Sequence, residues 1–327
     1  MSSPARTTDR RRPGVMKRLI LAATLAGAAA AGAPTTAHAA PQYPVPYGLI
    51  PGIVHFVDRA SPPGANDWNC RPSAEHPEPV VLVHGLTATM AANWTTIAPL
   101  LANNGYCVFA LNYGLDPAAP VPLNLIPGTK SMRESAAQEL APFVDRVLAA
   151  TGAQKVDLVG HSEGTVMPRW YIKYLGGAAK VAKSVNLTPL NDGTRAGGQA
   201  LIARALDLLG VWDDLQLRSE AFGFGASLQM TSGSDYLDAV NSGDAYPADI
   251  DYTFIMTRWD QVVAPHTSGM GPIAANVTNI VVQDQCPLAI FEHAGAASDP
   301  VVAQHILNAL DPANRVPVNC FAHPRNG

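Results

Sequence analysis

Cysteine is scarce in this 327-residue sequence: there are four, Cys70, Cys107, Cys286 and Cys320, and no two of them stand in the C-x-x-C spacing that holds zinc. Charge is thin as well, at 15% of residues with no block of one sign after residue 39, and aromatic residues make up 7%. No internal repeat is present, which removes solenoids and propellers. Disorder is excluded from the opposite side, because 47% hydrophobic residues suffice for a sizeable core. The length allows one large domain or two small ones.

The longest apolar run, Leu19 to Ala33, follows a basic start of Arg6, Arg10, Arg11, Arg12, Lys17 and Arg18. That is the outline of a signal peptide, and the small residues Ala37 and Ala39 place the expected cleavage after Ala39. An Ala-rich run broken by Gly and Pro is short and weakly apolar for a membrane span of about 20 residues. Export rather than anchoring is therefore expected. Residues 1–39 hold six of the 22 basic and one of the 26 acidic groups, so the remainder carries 16 and 25, a formal charge of −9. Nucleic acid is excluded as a partner for a surface of that sign. In an exported chain an even number of cysteines predicts disulfides. Of the three connectivities, Cys70 with Cys107 and Cys286 with Cys320 is favoured, because each pair closes a local loop.

From residue 40 to 78 the sequence is Pro-rich and aperiodic, an irregular lead-in that wraps a surface. Residues 79–327 then alternate buried runs with helical patterns. Strands are predicted at Pro79 to His84, Tyr106 to Asn112, Lys155 to Val159, Ser184 to Thr188, Asp251 to Thr257 and Asn276 to Val282. Helices are predicted near Ala91 to Ala102, Ser131 to Ala150, Glu163 to Leu175 and Pro300 to Leu310. Such alternation specifies one α/β domain with a mostly parallel sheet covered by helices on both faces. Between about 191 and 249 the pattern lapses into a small apolar helical insertion containing Leu201, Leu208, Trp212 and Phe222. It is either a cap over a pocket or ordinary core helices, and apolar spacing does not choose between them.

Gly160-His161-Ser162-Glu163-Gly164 follows a predicted strand directly and opens a predicted helix, the context of a nucleophile elbow. A turn that tight strains the serine backbone and leaves room only for small residues at Gly160 and Gly164. It also puts Ser162 at the positive end of the following helix, where unsatisfied N–H groups can stabilise an oxyanion. A serine needs a base to take its proton and a carboxylate to orient that base. Asp260, just past the strand Asp251 to Thr257, is the candidate acid. His293, in a loop ahead of the last helix, is the candidate base. His305 falls inside the helical pattern, His266 is too close to Asp260, and His323 lies near the C-terminus. For the oxyanion, one donor is the N–H of Glu163 and the other is the N–H of Leu86, in the His84-Gly85-Leu86-Thr87 segment that ends the first strand.

Taken together, six segments in this order resemble the secreted actinobacterial triacylglycerol lipases of the class 2 type and, more distantly, fungal lipase B. They are His84-Gly85; Gly105-Tyr106-Cys107 with Asn112-Tyr113-Gly114; the elbow continued by Met167-Pro168-Arg169-Trp170-Tyr171; Asp260-Gln261-Val262-Val263; Gln283-Asp284-Gln285-Cys286; and Glu292-His293. The resemblance runs from about Trp68 to Cys320. It implies an α/β-hydrolase fold, a lipase or esterase that uses no metal or other cofactor, the triad Ser162, Asp260 and His293, and the two disulfides named above. A lipid or other ester is then the expected substrate, with a lipid–water interface as a working surface, and a monomer is expected. The competing readings are a cutinase-like polyesterase or thioesterase with the same triad, and a non-catalytic exported binding module. Two positions depart from the pattern. Leu86 stands where fungal relatives carry a hydroxyl donor, so two backbone donors remain unless Thr87 helps. Glu163 stands where many relatives have glutamine, and its carboxylate is expected to point away and pair elsewhere, or to slow the reaction near neutral pH.

Overall fold

The computed structural model describes residues 42–195, 218, 225–324 and 326. All of them belong to the unit Ala40–Gly327. The expected leader lies outside the described residues, as do 196–217 and 219–224 of the insertion.

Six strands form one sheet in the order β2-β1-β3-β4-β5-β6, and each of the five pairings is parallel. They are β1 Val80–Val83, β2 Val108–Leu111, β3 Val156–His161, β4 Val181–Leu187, β5 Asp251–Met256 and β6 Val277–Val281. The apolar runs of the sequence become strands because both faces are covered: every side chain of β1 and β3 is buried. Burial of each Val or Leu in these runs contributes about 1.5–3 kcal/mol. One core cluster, with Val81, Phe109 and Tyr171, lies on one face, and another, with Leu82, Leu100 and Val302, lies on the other. This is the mostly parallel α/β sheet, covered on both faces, that the sequence predicts.

Prolines redraw two of the predicted helices. The stretch Ala91 to Ala102 divides into α2, Met90–Asn93, and α3, Ile97–Asn103, with the fully buried Trp94 at the break. Pro99 has no N–H to offer residue 95, so one uninterrupted helix would lack that bond and clash there. The stretch Ser131 to Ala150 is a helical turn α4, Met132–Ser135, then a π-turn Ala136–Leu140, then α5, Ala141–Thr151. Pro142 stands at the start of α5, and the widened turn ahead of it absorbs the missing donor. The elbow helix α6 runs Glu163–Tyr174, and the final helix spans Pro300–Leu310.

The lead-in is not wholly irregular. It contains a short helix, α1, Leu49–Val54, none of whose residues is buried. Both expected disulfides are present, Cys70–Cys107 and Cys286–Cys320. The described parts of the insertion include helices Gly225–Gln229 and Asp235–Asn241 and a parallel bridge between Thr194 and Thr231.

Candidate active site

β1, β3, β4 and β5 all end at the same edge of the sheet, and the chemistry-bearing residues follow from those ends. Ser162 leaves β3 with φ 55° and ψ −122°, a left-handed backbone that a non-glycine residue holds only when its surroundings enforce it. Its N–H is tied to the carbonyl of Leu187 at 3.0 Å and its own carbonyl takes the N–H of Thr165 at 2.9 Å. The flanking glycines are demanded by contact: a Cβ on Gly160 would sit 2.0 Å from the carbonyl oxygen of Gly164, and one on Gly164 would sit 2.1 Å from that of Val83.

The structure brings Ser162, His293 and Asp260 together. His293 Nε2 lies 2.8 Å from Ser162 Oγ, and His293 Nδ1 lies 2.9 and 3.0 Å from the two oxygens of Asp260. With a carboxylate accepting at Nδ1, the nitrogen that carries the lone pair is the one facing the serine. Asp260 is fixed in turn by the N–H groups of Val262 and Val263, which donate to Oδ1 at 2.9 and 2.7 Å. Glu292 orders the turn after His293 by accepting from the N–H groups of Ala294 and Gly295, each at 2.7 Å. Gln283 joins the strand end to this loop through Thr257 Oγ1 and the carbonyl of Ala289, both at 2.9 Å. Such a chain can withdraw the hydroxyl proton as the oxygen attacks.

Among the described residues, neither the N–H of Leu86 nor that of Glu163 donates to an acceptor. Both N–H groups are therefore without an acceptor of their own. The N–H of Thr87 is already given to Pro127, 2.9 Å away. Gly85 approaches Ser162 so closely that a Cβ there would meet the serine Cβ at 3.0 Å. The backbone of this loop is held by residues that local sequence did not mark. His84 Nδ1 donates to the carbonyl of Gly85 at 2.9 Å while its Nε2 accepts the N–H of Tyr113 at 3.3 Å. Asn93 Oδ1 takes the N–H of Gly85 at 3.1 Å and also meets His161 Nδ1 at 2.9 Å. His161 Nε2 reaches the backbone carbonyl of His293 at 3.0 Å. Burial lowers His84 to about 4, so its ring is neutral at neutral pH, and burial followed by the proximity of His293 lowers His161 to about 3.

Glu163 differs from expectation. Its side chain does not line the cavity and it forms no ion pair: it is fully buried, neither oxygen meets a partner in good hydrogen-bond geometry among the described residues, and the Tyr113 hydroxyl is the polar group that faces it. His305 is packed within the last helix, lowered to about 4 by burial, and His266 lies in a separate helical turn, His266–Gly269.

Ser162 and His293 border a cavity of about 580 Å³ whose walls include Leu49, Ile53, Phe56, Leu190, Met230 and Val262. A concave, mainly apolar space with a few convergent polar groups is the form of a small-molecule site. Thr194, Ser227 and Met230 make the described part of the insertion a wall of this space.

The model of the class 2 lipases matches residues 77–305, more than two-thirds of the sequence. The chain belongs to the class 2 lipase family. Two triacylglycerol lipases, from Pseudarthrobacter phenanthrenivorans and Burkholderia plantarii, are each 33% identical to it over 97 residues, or 28% of this chain. The matched stretch spans 27% and 24% of those two proteins, about a quarter of the curated relatives' length. Among solved structures, lipase B of Aspergillus fumigatus superposes with a TM-score of 0.55 at 17% identity, covering 80% of this class 2 lipase chain and 57% of its own. The mature lipase BlEst2 of Bacillus licheniformis gives 0.50 at 15% identity, covering 74% and 94%. At those identities the superpositions establish the shared fold.

Proposed function

We propose that this class 2 lipase is a secreted serine hydrolase that cleaves carboxylic esters of lipids, triacylglycerols among them, through an acyl-enzyme on Ser162. The observation that carries the reading is the unbroken line from Ser162 Oγ through His293 to Asp260, at 2.8 and 2.9 Å, at the wall of an apolar cavity. His293 takes the serine proton as Oγ attacks the ester carbonyl, and returns it to the leaving alcohol. Water then gives its proton to the same imidazole as it attacks the acyl carbonyl, and that proton passes to Ser162 Oγ as the acid leaves. Asp260 keeps His293 in the reactive tautomer and stabilises the imidazolium. The N–H groups of Leu86 and Glu163 hold the oxyanion, a pair of donors each worth about 3–4 kcal/mol of barrier.

The surroundings of the cavity favour an apolar acyl chain delivered from a lipid phase. Leu49, Ile50, Ile53, Val54, Phe56 and Val57 are all exposed on and after α1, and three of them also line the cavity. A clustered apolar patch marks a contact surface where scattered apolar residues do not. The two disulfides fit an exported chain, and residues 1–39 supply the leader.

Rates on triacylglycerols and p-nitrophenyl esters of rising chain length, taken below and above the solubility limit, test the substrate class. A rise in rate with emulsified long-chain esters supports it. Equal or better turnover of soluble short esters, with no response to the emulsion, reassigns the protein as an esterase.

A further inference from the structure

Glu163 opens α6 beside the nucleophile, and the backbone at Gly128 stands against its carboxyl group. A Cβ on Gly128 would meet Glu163 Oε2 at 2.7 Å, the Cα of Leu86 at 3.1 Å and the nitrogen of Thr87 at 3.3 Å. The carboxyl group therefore lies against the loop that presents the Leu86 N–H. The titratable groups facing it are Tyr113 from the loop after β2, Glu139 from the π-turn, and Tyr236 from the helix Asp235–Asn241. None of these is a cation, and His84, behind Tyr113, is neutral. The Tyr113 hydroxyl gives its single proton to the carbonyl of His84, 2.7 Å away, and so has lone pairs left to accept with.

An ionised carboxylate in that position would be a buried, unpaired anion, which costs several kcal/mol. A neutral acid needs only one acceptor, and the Tyr113 oxygen is there. Burial pushes the Glu163 carboxyl well above the usual carboxylate range, and the nearby Glu139 carboxyl adds to the rise.

We propose that Glu163 works as a neutral acid whose proton, directed to the Tyr113 hydroxyl, steadies Tyr113 where it holds His84, whose Nδ1 in turn fixes the carbonyl of Gly85 and so sets the Leu86 N–H, and that loss of this proton lowers turnover at alkaline pH. The proposal rests on the triad reading above. The side chain of Glu163 is a positioning group: it touches no substrate and acts through the Gly85–Leu86 peptide. When it ionises, one proton passes to solvent, the bond to Tyr113 is lost, and a fixed negative charge stands behind the donors that must hold the oxyanion.

Glu163→Gln keeps the shape and a donor for Tyr113 and cannot ionise, whereas Glu163→Leu keeps the bulk and offers no donor. In the native enzyme kcat is expected to fall from neutral to alkaline pH with KM steady, while E163Q holds its kcat level over that range. E163L is expected to lose about tenfold in kcat relative to E163Q at every pH, the worth of one hydrogen bond of about 1.4 kcal/mol. Carbon-13 NMR of glutamate-labelled native protein is expected to show a side-chain carboxyl that stays neutral at neutral pH and ionises with the midpoint of the kcat profile. The proposal is overturned if E163Q keeps the native alkaline limb, if E163Q and E163L are equally impaired, or if every glutamate is ionised at neutral pH. The NMR titration decides alone should E163Q not fold. Failure of the triad reading shows separately, as native protein that a serine-directed phosphonate does not inactivate.

Discussion

His84 Nδ1 lies 2.9 Å from the carbonyl oxygen of Gly85, so the peptide that carries the Leu86 N–H is fixed from its opposite end. In a trans peptide the C=O and N–H point in opposite directions. Drawing the carbonyl toward the buried ring therefore turns the N–H away from it. Replacing His84 with Leu is expected to lower kcat about 10- to 100-fold with KM little changed, below the roughly 100- to 1,000-fold that follows complete loss of one donor. Steady-state kinetics on a soluble ester, with a circular dichroism check of folding, measures this.

Asp260→Asn is expected to leave the fold intact and reduce kcat by about 10⁴-fold, because an amide that donates at Nδ1 selects the wrong tautomer of His293. Thermal unfolding of the variant within a few degrees of the native protein separates this loss from misfolding.

A methyl group has no place at the elbow. Gly164→Ala would drive a Cβ to 2.1 Å from the backbone carbonyl of Val83, and a backbone atom cannot rotate aside as a side chain can. The expected loss is at or above the roughly 1–3 kcal/mol typical of overpacking, read from denaturant unfolding, with activity falling alongside.

Ile50 is exposed on α1 and does not border the cavity. Ile50→Asp is expected to reduce the rate on emulsified long-chain esters several-fold by weakening contact with the lipid phase, and to leave turnover of a soluble short ester in place. Paired assays on the two substrates decide it.

The raised Glu163 also makes a statement about stability. The folded protein keeps a proton that the unfolded chain releases above the ordinary glutamate pKa of about 4.3. Stability from this group is thus complete below that value, declines as pH rises, and levels off once the folded carboxyl ionises. E163Q is expected to be more stable than the native protein at neutral pH, with the gap closing on acidification toward that value. Unfolding midpoints across the pH range measure it.

Much of this was legible in the sequence because it is written locally. Six apolar runs became six parallel strands, and the spacing of Gly160, Ser162 and Gly164 could be read because the contacts that forbid a Cβ lie within a few residues or on the adjoining strand. Asp260 and His293 were nominated by position at strand ends, and the structure sets them beside Ser162. What escaped depends on contacts distant in sequence. Asn93 bridges Gly85 and His161, and Tyr113 braces His84 from 29 residues away, with no periodicity to announce either. The breaks at Trp94 and at the π-turn follow from Pro99 and Pro142, which a pattern of apolar spacing passes over. The burial of Glu163 without an ion pair was invisible for the same reason: it depends on Gly128 and Tyr113, which lie far from it in sequence.

The most direct test of the central claim is reaction with a serine-directed alkyl phosphonate, followed by peptide mass spectrometry. The account expects loss of ester hydrolysis in step with a single adduct, on Ser162, and no adduct in Ser162→Ala. An adduct on any other residue, or full labelling of Ser162 with activity retained, contradicts it.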